Sequence, residues 1–543
     1  MVGAIIGDVI GSSYEFHNVR YKDFDLFNDR TKFTDDTVCT IALMDFFTRA
    51  EKFDEETATK FLHEWTNKYP DAGYGGRFYN WVHSSKPQPY DSYGNGSAMR
   101  ISSVAWVAKD LDELKLLSDT VTKITHNNPE GMKGALVVAT CIFMARKGAS
   151  RKDIEKYAIS QYPEIAKFDY EDLRRNYYFN ETCQESVPQA IYCFLISHDF
   201  EDCLRTTISI GGDCDTTAAM SCAIAEAFYM SVPEKLAIKV LYKLTEEMVD
   251  VLDAFRFKYY KFDFEKRMKQ YNDRIDEFTG NHRLLNRYVM THTYDECIQN
   301  PAFKALFDVF KKKQYIVFEK DEIDVEKDGP TTNIIVSDKR TFQAASAYKD
   351  KKIAVLNFAN NHSIGGSPYY AGAQEESLCR ISTLLPYLEE EERAFYKYHQ
   401  DLFDKKLINQ MGNDDLIYTP GVTVFKTDES APKMNDVKDW FGVSVITSAA
   451  PELNSRPFDE DKYLSNIILP RLRKVFQVAK KEKIEILILG AWGCGAFNNP
   501  PKIIAKAFKI LCDEYRFDTI EFAIDCSRGS DANFKAFKEV FNK

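Results

Sequence analysis

The spacing of apolar residues changes near residue 300, and this change most constrains how the chain can fold. Up to about residue 255 apolar side chains recur at helical intervals, whereas from residue 333 they form short runs rich in β-branched residues. Helical segments at 464–481, 501–515 and 534–541 separate several of these runs, as expected for a sheet covered on both faces. The predicted strands are 333–336, 353–358, 422–425, 443–446, 484–489 and about 519–524.

The length of the chain also indicates a multidomain protein. Its 543 residues exceed what one core usually organises, and roughly 150 residues per domain gives two to four units. Between 255 and 276 the sequence is rich in Lys, Glu and Asp with few large aliphatics, which favours a linker. We predict an all-helical domain at 1–260, a charged helical linker at 261–280, and an α/β/α domain with a helical lead-in at 281–543.

Charge and cysteine content exclude several classes of protein. The net charge of -11 argues against direct DNA binding and against binding to anionic membranes, since both need a basic surface. No apolar run reaches about eighteen residues, and the N-terminus does not resemble a leader peptide. The 12 cysteines are scattered without a C-x-x-C pair, so neither a disulfide framework nor a zinc site is indicated. We expect a cytoplasmic protein with reduced thiols.

Two short stretches of the first half concentrate carboxylates and threonine hydroxyls. They are Thr-Asp-Asp-Thr at 34–37 and Asp-Cys-Asp-Thr at 213–216, the second preceded by two glycines. Clustered carboxylates repel one another and are costly to desolvate, so such a cluster is typical of a site for hard cations, and two Mg²⁺ ions fit. The alternative is that each stretch is a helix N-cap, although a cap needs only one acceptor. Glycines 3, 7 and 11 predict a smooth helix face for close packing, on which Asp8 needs a partner.

Five separated motifs of the first half agree in order and spacing with a known family. They are Gly3 to Asp8 with Glu15, and the segments 33–37, 94–100, 125–131 and 212–216. Together they resemble the ADP-ribosylglycohydrolase family of the dinitrogenase-reductase-activating type. The resemblance implies an all-α domain that holds two magnesium ions through Thr34, Asp35, Asp36, Asp213, Asp215 and Thr216.

The same resemblance implies roles for residues around the metal site. Glu15 would lie beside the reacting ribose, and either Asp36 or Glu15 would accept the proton of the attacking water. The ADP-ribose cleft would be lined by Gly96, Ser97 and His126. Taken alone, His126 is more simply interpreted as a capping or core histidine and Glu15 as a surface acid.

The second half carries four further motifs, at 357–360, the glycine pair 365–366, the segment 374–380 and the loop 490–497. Together these give a resemblance to the microbial-type poly(ADP-ribose) glycohydrolases, which have a macrodomain fold. It implies that Glu376 is the catalytic acid, that Glu375 holds the ribose next to the scissile bond, and that the loop is a diphosphate cradle. The implied substrate-binding residues are Asn360, Gly365, Gly366, Gln374, Gly493, Cys494, Gly495, Ala496 and Phe497.

Two observations qualify this second resemblance. Adjacent carboxylates disfavour double ionisation, which raises the pKa of one of them, and we assign that role to Glu376. Ser367 stands where the family usually has a third glycine, and its side chain forbids some backbone angles, so we expect binding to survive and the rate to be affected. In isolation, 374–376 can also be interpreted as a charged helix start.

Both resemblances imply the same ligand. We therefore expect a hydrolase that removes ADP-ribose from ADP-ribosylated proteins or poly(ADP-ribose), with an Mg²⁺-dependent first site and a Glu-dependent, metal-independent second site. Its partners would be ADP-ribosylated proteins, poly(ADP-ribose) or ADP-ribose derivatives, without DNA or membrane. Two alternatives remain open: the macrodomain acts as a non-catalytic ADP-ribose reader, or the metal site hydrolyses nucleotide diphosphates.

Overall fold

The computed structural model describes residues 2–230, 232–260, 262–454, 457–527 and 531–541. The chain divides into two compact units, Met1–Asp263 and Phe264–Lys543. The predicted boundary positions 1, 261 and 543 fall outside the described residues. Among the residues described, none of the helices combines the length and the apolar character needed to span a membrane.

The regular elements of the first unit are helices joined by loops, and among its described residues the β pairing is limited to an isolated bridge between Gly94 and Thr182. This confirms the helical first half. Its helices are α1 (Gly3–Gly11), α2 (Asp35–Arg49), α3 (Glu55–Lys68), α4 (Gly76–Val82), α5 (Ser102–Val107), α6 (Leu111–Lys123), α7 (Pro129–Arg146), α8 (Arg151–Gln161), α9 (Tyr170–Asn176), α10 (Cys183–Leu195), α11 (Phe200–Ser209), α12 (Cys214–Tyr229), α13 (Glu234–Leu241) and α14 (Glu246–Tyr259).

Helix α1 packs against α12 through its glycines, as the sequence predicted. A Cβ atom on Gly7 would overlap the backbone of Ala218, and one on Gly11 would overlap the backbone of Asp215. Every residue of α1 is buried, including the acid Asp8. The glycine spacing therefore brings α1 into backbone contact with the helix that carries the second acidic stretch.

The second unit is built on a seven-stranded sheet. Its strands are β1 (Tyr315–Val317), β2 (Asn333–Ser337), β3 (Ile353–Ala359), β4 (Leu416–Val424), β5 (Phe441–Ala449), β6 (Ile486–Leu489) and β7 (Thr519–Ala523). Their order in the sheet is β1-β4-β5-β3-β6-β7-β2. The strands β5, β3, β6, β7 and β2 are parallel, β4 pairs antiparallel with β5, and β1 pairs antiparallel with β4.

Helices cover both faces of this sheet, as predicted. Side chains of Ala354 and Leu356 join one apolar core and those of Ile353 and Val355 join the other, because successive strand residues face opposite sides. The helices are α15 (Phe264–Arg274), α16 (His282–Gln299), α17 (Pro301–Phe310), α18 (Thr341–Ala345), α19 (Gln374–Ile381), α20 (Leu384–Glu390), α21 (Tyr398–Asp404), α22 (Glu460–Tyr463), α23 (Leu469–Lys481), α24 (Pro501–Glu514) and α25 (Ala532–Phe541).

Two elements of the sheet differ from the prediction. The three residues of β1 are too few to show a strand pattern, so that strand was missed. Strand β4 begins six residues earlier than predicted because it continues through Pro420 and Gly421, which normally indicate a turn. The pairing of β4 with β5 shifts between Thr419 and Val422, and such an irregularity accommodates a proline within a strand.

Residues 264–280 of the segment predicted as a linker belong to the second unit, and residues 262–263 belong to the first. Helix α15 buries Arg267, which forms ion pairs with Asp295 and Glu296 of α16. The hydroxyl of Tyr271 donates a hydrogen bond of 2.7 Å to the carbonyl oxygen of Pro432. The charge-rich pattern resembles a solvated helix, but the acids that neutralise Arg267 lie on another helix and bury it.

Candidate functional site

Carboxylates from α1, α2 and α12 converge in the first unit. Asp8, Asp36 and Asp215 form one group, and Glu15, Asp213 and Asp215 form another. Within each group, one oxygen from every residue lies within 4.8 Å of the others. Because Asp215 belongs to both groups, the two clusters adjoin.

Hydroxyl and amide groups position these acids. Asp8 accepts hydrogen bonds from the backbone N–H of Thr34 and of Thr37, each 3.0 Å, and from both threonine hydroxyls. It thereby joins α1 to the start of α2. The Thr216 hydroxyl donates to Asp36 Oδ2 at 3.1 Å, and Asn95 Nδ2 donates to Asp213 Oδ2 at 2.7 Å.

The protein leaves part of this acidic cluster without hydrogen bonds. Asp36 Oδ1 and Asp215 Oδ1 are buried and have no partner. Burial, followed by the charge of neighbouring acids, raises the pKa of both groups well above its usual value. Burial also raises the pKa of Glu15 to about 7, with the charge of Asp213 as the next cause. Such a set of oxygen atoms fits a hard divalent cation.

The glycine pair before Asp213 bends the chain into this site. Gly211 and Gly212 have φ of +69° and +74°, in the left-handed region that favours glycine. Asn18 holds Gly212 in both directions: the Gly212 N–H donates to Asn18 Oδ1 at 2.8 Å, and Asn18 Nδ2 donates to the Gly212 carbonyl at 3.1 Å. Asp213 is thereby placed immediately before α12.

The structure brings some of the predicted metal ligands together and leaves others aside. Asp36, Asp213 and Asp215 converge with Glu15. Asp35 is half-buried and belongs to neither group, although burial followed by the charge of Asp8 raises its pKa well above the usual value. The hydroxyls of the two predicted threonine ligands, Thr34 and Thr216, donate to Asp8 and Asp36.

Asp8 is not among the metal ligands that the sequence predicts. In the sequence it is a single acid among apolar residues and regularly spaced glycines, and this pattern indicates that Asp8 has a partner but not which residue that partner is.

The three residues predicted to line the cleft lie close together around a buried histidine. Gly96 and Ser97 belong to a single 3₁₀ turn, and a Cβ on Gly96 would lie 3.6 Å from the His126 ring. His126 Nδ1 is 2.7 Å from the Thr125 hydroxyl, and burial followed by the charge of Arg100 lowers its pKa well below the usual value. The fully buried Ser97 hydroxyl donates to a backbone carbonyl at 2.9 Å, so it holds a loop in place.

In the second unit, a cavity of about 600 Å³ opens at the carboxyl ends of the parallel strands. This volume suits a ligand of nucleotide size, and the place is where sheets of this type bind ligands. The predicted residues that line it are Asn360, Gly366, Gln374, Glu375, Glu376, Gly493, Gly495, Ala496 and Phe497. Gly365 and Cys494 are not among its lining residues; Gly365 faces the buried Leu385 and Cys379 instead.

The two adjacent glutamates at the start of α19 have different surroundings. Glu375 accepts from Asn357 Nδ2 at 3.1 Å and from the Asn360 N–H at 3.0 Å. Glu376 Oε1 accepts from the Ser367 N–H at 3.2 Å, whereas its buried Oε2 has no partner. Burial, rather than the neighbouring charge, is the main cause that raises the pKa of Glu375 to about 8. The sequence predicts the raised pKa at Glu376, and the structure corrects this to Glu375 because Glu375 is the more deeply buried of the two.

The glycine loop leaves just enough room for Glu376. Gly366 has φ of +68°, and a Cβ there would lie 2.5 Å from Glu376 Oε1. Ser367, by contrast, is not among the residues with positive φ. Its backbone therefore needs no glycine, and the expected conformational penalty at this position does not arise.

The side chains of Gln374 and Asn360 form hydrogen bonds within the protein. The Gln374 side chain accepts from the Phe358 N–H at 2.9 Å and donates to the Leu356 carbonyl at 2.8 Å, which ties α19 to β3. Asn360 Oδ1 accepts from the N–H groups of His362 and Ser363. Both residues nevertheless line the cavity.

The loop after β6 is held by a buried asparagine. Gly493 has φ of +72°, and Asn499 Nδ2 donates to the carbonyl oxygens of Gly493 and Pro451 at 3.0 and 2.8 Å. The loop then leads into α24 at Pro501. Its role as a diphosphate cradle stays a prediction.

The charged groups beside β7 and β2 were missed. Lys339, Arg340, Asp428 and Asp525 line that part of the cavity, and Arg340 lies 3.4 Å from Asp525 and 3.8 Å from Asp428. These residues come from three separate loops, and only Lys339 and Arg340 are adjacent in the sequence, so they form no local motif that the sequence could reveal.

Comparison with known proteins supports the two-part division. The family model described as ADP-ribosylglycohydrolase matches residues 1–260, and that described as microbial-type PARG, catalytic domain, matches residues 288–427. ADP-ribosylhydrolase ARH3 of Mus musculus is 28% identical over 312 residues, covering 43% of this chain and 84% of the relative. ADP-ribosylarginine hydrolase Tri1 of Pseudomonas putida (strain GB-1) is 24% identical over 305 residues, covering 47% and 80%.

A solved structure also matches this chain in part. Poly(ADP-ribose) glycohydrolase from Thermomonospora curvata, bound to the inhibitor ADP-HPD, aligns with a TM-score of 0.41 and 26% identity, covering 47% of this chain and 99% of that one. From the two family matches, residues 1–260 belong to the ADP-ribosylglycohydrolase family and residues 288–427 to the microbial-type PARG catalytic domain family, and the chain joining them is an enzyme of the glycosidic-hydrolase class.

Proposed function

We propose that the chain removes ADP-ribose from ADP-ribosylated proteins or poly(ADP-ribose) at two separate sites, one dependent on Mg²⁺ and one on a glutamate pair. The observation that carries the proposal is that each unit holds its own centre of buried carboxylates with an oxygen that has no protein partner. Relatives of the first unit named ADP-ribosylhydrolase and ADP-ribosylarginine hydrolase support the same class of substrate.

In the first unit, Asp36, Asp213 and Asp215, together with Asp8, are the acids suited to hold two cations. Magnesium, when bound, supplies positive charge for the ribose hydroxyls and for a water molecule. Asp36 is buried and accepts a hydrogen bond from Thr216, which suits a ligand better than a base. Glu15 is the half-buried acid of its group, and we assign to it the proton of the water that attacks the anomeric carbon.

In the second unit, the glutamate pair supplies the acid. Because the pKa of Glu375 is raised to about 8, the pair carries a proton at neutral pH. Glu376, whose Oε2 has no protein partner, is placed to pass a proton to the leaving oxygen. The bond between that oxygen and the anomeric carbon breaks, and water adds to the oxocarbenium-like ribose and gives a proton back to the glutamate pair. The hydrogen bonds from Asn357 and from the Asn360 N–H hold Glu375 in place to orient the ribose.

The test is release of ADP-ribose from poly(ADP-ribose) and from peptides modified at serine or arginine. The intact chain is compared with Asp215→Asn and Glu376→Gln, each with Mg²⁺ or with a chelator. We expect chelation and Asp215→Asn to remove one activity and Glu376→Gln to remove another. The exposed acids Asp112 and Glu390 provide matched controls, and Asp112→Asn and Glu390→Gln should change neither activity.

Two outcomes would point to the alternatives. If Glu376→Gln leaves release from every substrate unchanged, the second unit is a reader of ADP-ribose and not a catalyst. If AMP appears in place of intact ADP-ribose, the bond cleaved is the diphosphate, and the metal site belongs to a phosphohydrolase.

A further inference from the structure

In the first unit, the side chain of Asn18 fastens the loop that follows α1 to the turn that precedes α12. Its Oδ1 accepts from the Gly212 N–H at 2.8 Å, and its Nδ2 donates to the Gly212 carbonyl at 3.1 Å. The same Nδ2 donates to the carbonyl oxygens of Tyr14 and Glu15, each at 2.8 Å. One amide group therefore contacts both the residue before Asp213 and the backbone of Glu15.

Arg20 fastens the same turn at an earlier residue. Its guanidinium donates to the carbonyl oxygen of Ile210 and, at 2.8 Å, to that of Tyr177. A Cβ atom on Gly211 would lie 2.7 Å from the guanidinium carbon of Arg20 and 2.8 Å from Asn18 Oδ1. The glycine thus leaves room for both side chains, and together they hold the turn against the loop after α1.

The two acids joined in this way come from different parts of the chain. Glu15 lies in the loop after α1, and Asp213 comes directly before α12. In the folded unit one oxygen of Glu15 nevertheless lies within 4.8 Å of an oxygen of Asp213 and of one of Asp215. Because Asn18 holds the backbone of Glu15 and that of Gly212 at once, it restrains the separation between Glu15 and Asp213.

The contacts of Asn18 matter more for geometry than for stability. Asn18 is exposed, and the net gain from a hydrogen bond is small where water can replace the partner. Position has a much larger effect on a reacting group, since a displacement of about 1 Å reduces a rate by about 100-fold. Substitution of Asn18 should therefore leave the unit folded and change where Glu15 lies.

We propose that Asn18 is a positioning residue for Glu15 and sets the place of this acid relative to Asp213 and Asp215. The Nδ2 group holds the Glu15 carbonyl, and Oδ1 holds the Gly212 N–H. The inference rests on the proposed function and deepens it, because Glu15 is the group to which we assign the proton of the attacking water. The reaction itself is unchanged, and Asn18 does not touch the reacting atoms.

The test compares Asn18→Asp and Asn18→Ala with the parent chain. An aspartate matches asparagine in size and still accepts from the Gly212 N–H, but it cannot donate to the Glu15 carbonyl. Alanine loses both contacts. With the substrate that the parent cleaves only in the presence of Mg²⁺, both variants should lower kcat and kcat/KM equally, by about 10- to 100-fold, and leave KM unchanged.

Two further measurements do not depend on activity. Hydrogen exchange of the peptide spanning 210–212 should be faster in Asn18→Ala than in the parent, and close to the parent in Asn18→Asp, which keeps the acceptor for the Gly212 N–H. The Mg²⁺ concentration that half-saturates the rise in melting temperature should stay near the parent value in Asn18→Asp, since that acceptor and Arg20 still hold the turn before Asp213.

Asn67 on α3 provides a matched control. It is exposed, its Nδ2 donates to the carbonyl oxygen of His63 at 2.8 Å, and it belongs to neither group of carboxylates. Asn67→Asp and Asn67→Ala make the same chemical changes and should leave the Mg²⁺-dependent rate unchanged. The release that depends on Glu376, measured with chelator on the same chains, should be unchanged in every variant.

The inference is overturned if Asn18→Asp keeps the parent kcat, or if exchange of 210–212 is the same in Asn18→Ala and the parent. A loss of rate in Asn18→Asp that excess Mg²⁺ restores also overturns it, because Asn18 would then act on the metal and not on Glu15. Failure of the proposed function appears separately, as no Mg²⁺-dependent release of ADP-ribose by the parent chain from any of the substrates.

Discussion

Replacing Gly366 by alanine tests whether the position of the Glu376 carboxylate controls the second activity. The left-handed φ of +68° costs an alanine about 1–2 kcal/mol. The new Cβ would lie 2.5 Å from Glu376 Oε1, whereas atoms in good contact are about 3.5 Å apart, so the carboxylate must move by about 1 Å. A displacement of that size at a reacting group reduces the rate by about 100-fold.

The neighbouring glycine provides a matched control. Gly365 has φ of +63°, so Gly365→Ala has the same backbone strain in the same loop. Its Cβ, however, would lie 2.9 Å from Leu385 Cδ1 and 3.0 Å from Cys379 Sγ, away from the carboxylates. Both variants should lower the free energy of unfolding by about 1–2 kcal/mol, whereas only Gly366→Ala should lose most of the activity.

The assay is ADP-ribose release from poly(ADP-ribose) by the full chain in the presence of a chelator. Urea denaturation, followed by hydrogen exchange of peptides from the second unit, gives the stability of each variant. Equal losses of activity in the two variants would mean that loop strain, and not displacement of Glu376, controls the rate. Full activity of Gly366→Ala would exclude the assigned position of the acid altogether.

Three further predictions concern the packing of α1, the metal site and the pKa of Glu375. Gly7→Ala forces the backbones of α1 and α12 apart, so it should lower the free energy of unfolding by about 1–3 kcal/mol or more and remove the Mg²⁺-dependent activity. Gly75 has open space around it, so Gly75→Ala should change neither the melting temperature nor that activity. Asp215→Asn should abolish the Mg²⁺-induced rise in melting temperature, which in the parent corresponds to about 2.7 kcal/mol at a hundredfold excess over Kd. The pKa of Glu375 rises from 4.5 to about 8 on folding, so the folded state binds more protons than the unfolded state between these pH values. The free energy of unfolding should therefore fall as pH rises from 4.5 to about 8, by about 5 kcal/mol at most. Glu375→Met should flatten this slope in urea titrations.

The regular elements were largely predictable because they depend on local periodicity. The glycine spacing of α1 predicted its close packing, and the β-branched runs predicted six of the seven strands. The errors occurred where tertiary contacts override local pattern. Helix α15 has the composition of a solvated linker, yet the acids of α16 bury Arg267, and β4 runs through Pro420 because its pairing with β5 shifts there.

The candidate sites divide in the same way. The sequence alone identifies the acidic stretches and the adjacent glutamates as candidate site residues, because carboxylates seldom occur at such density except at a functional site. Whether an acid belongs to a cluster depends on which side of its helix carries it: Asp35 and Asp36 are neighbours on α2, yet only Asp36 joins a group, and Asp8 joins the same group from α1. Burial, which no spacing reveals, places the raised pKa on Glu375.

By itself, the sequence determined the two-part organisation of this chain, its two families, and the residue types available for chemistry. Those properties follow from local patterns of side chains along the chain. Only the tertiary structure decided which carboxylates share a site and which of their oxygens are left without hydrogen bonds. These depend on distances between residues far apart in the chain, and such distances exist only once the helices and the sheet have packed.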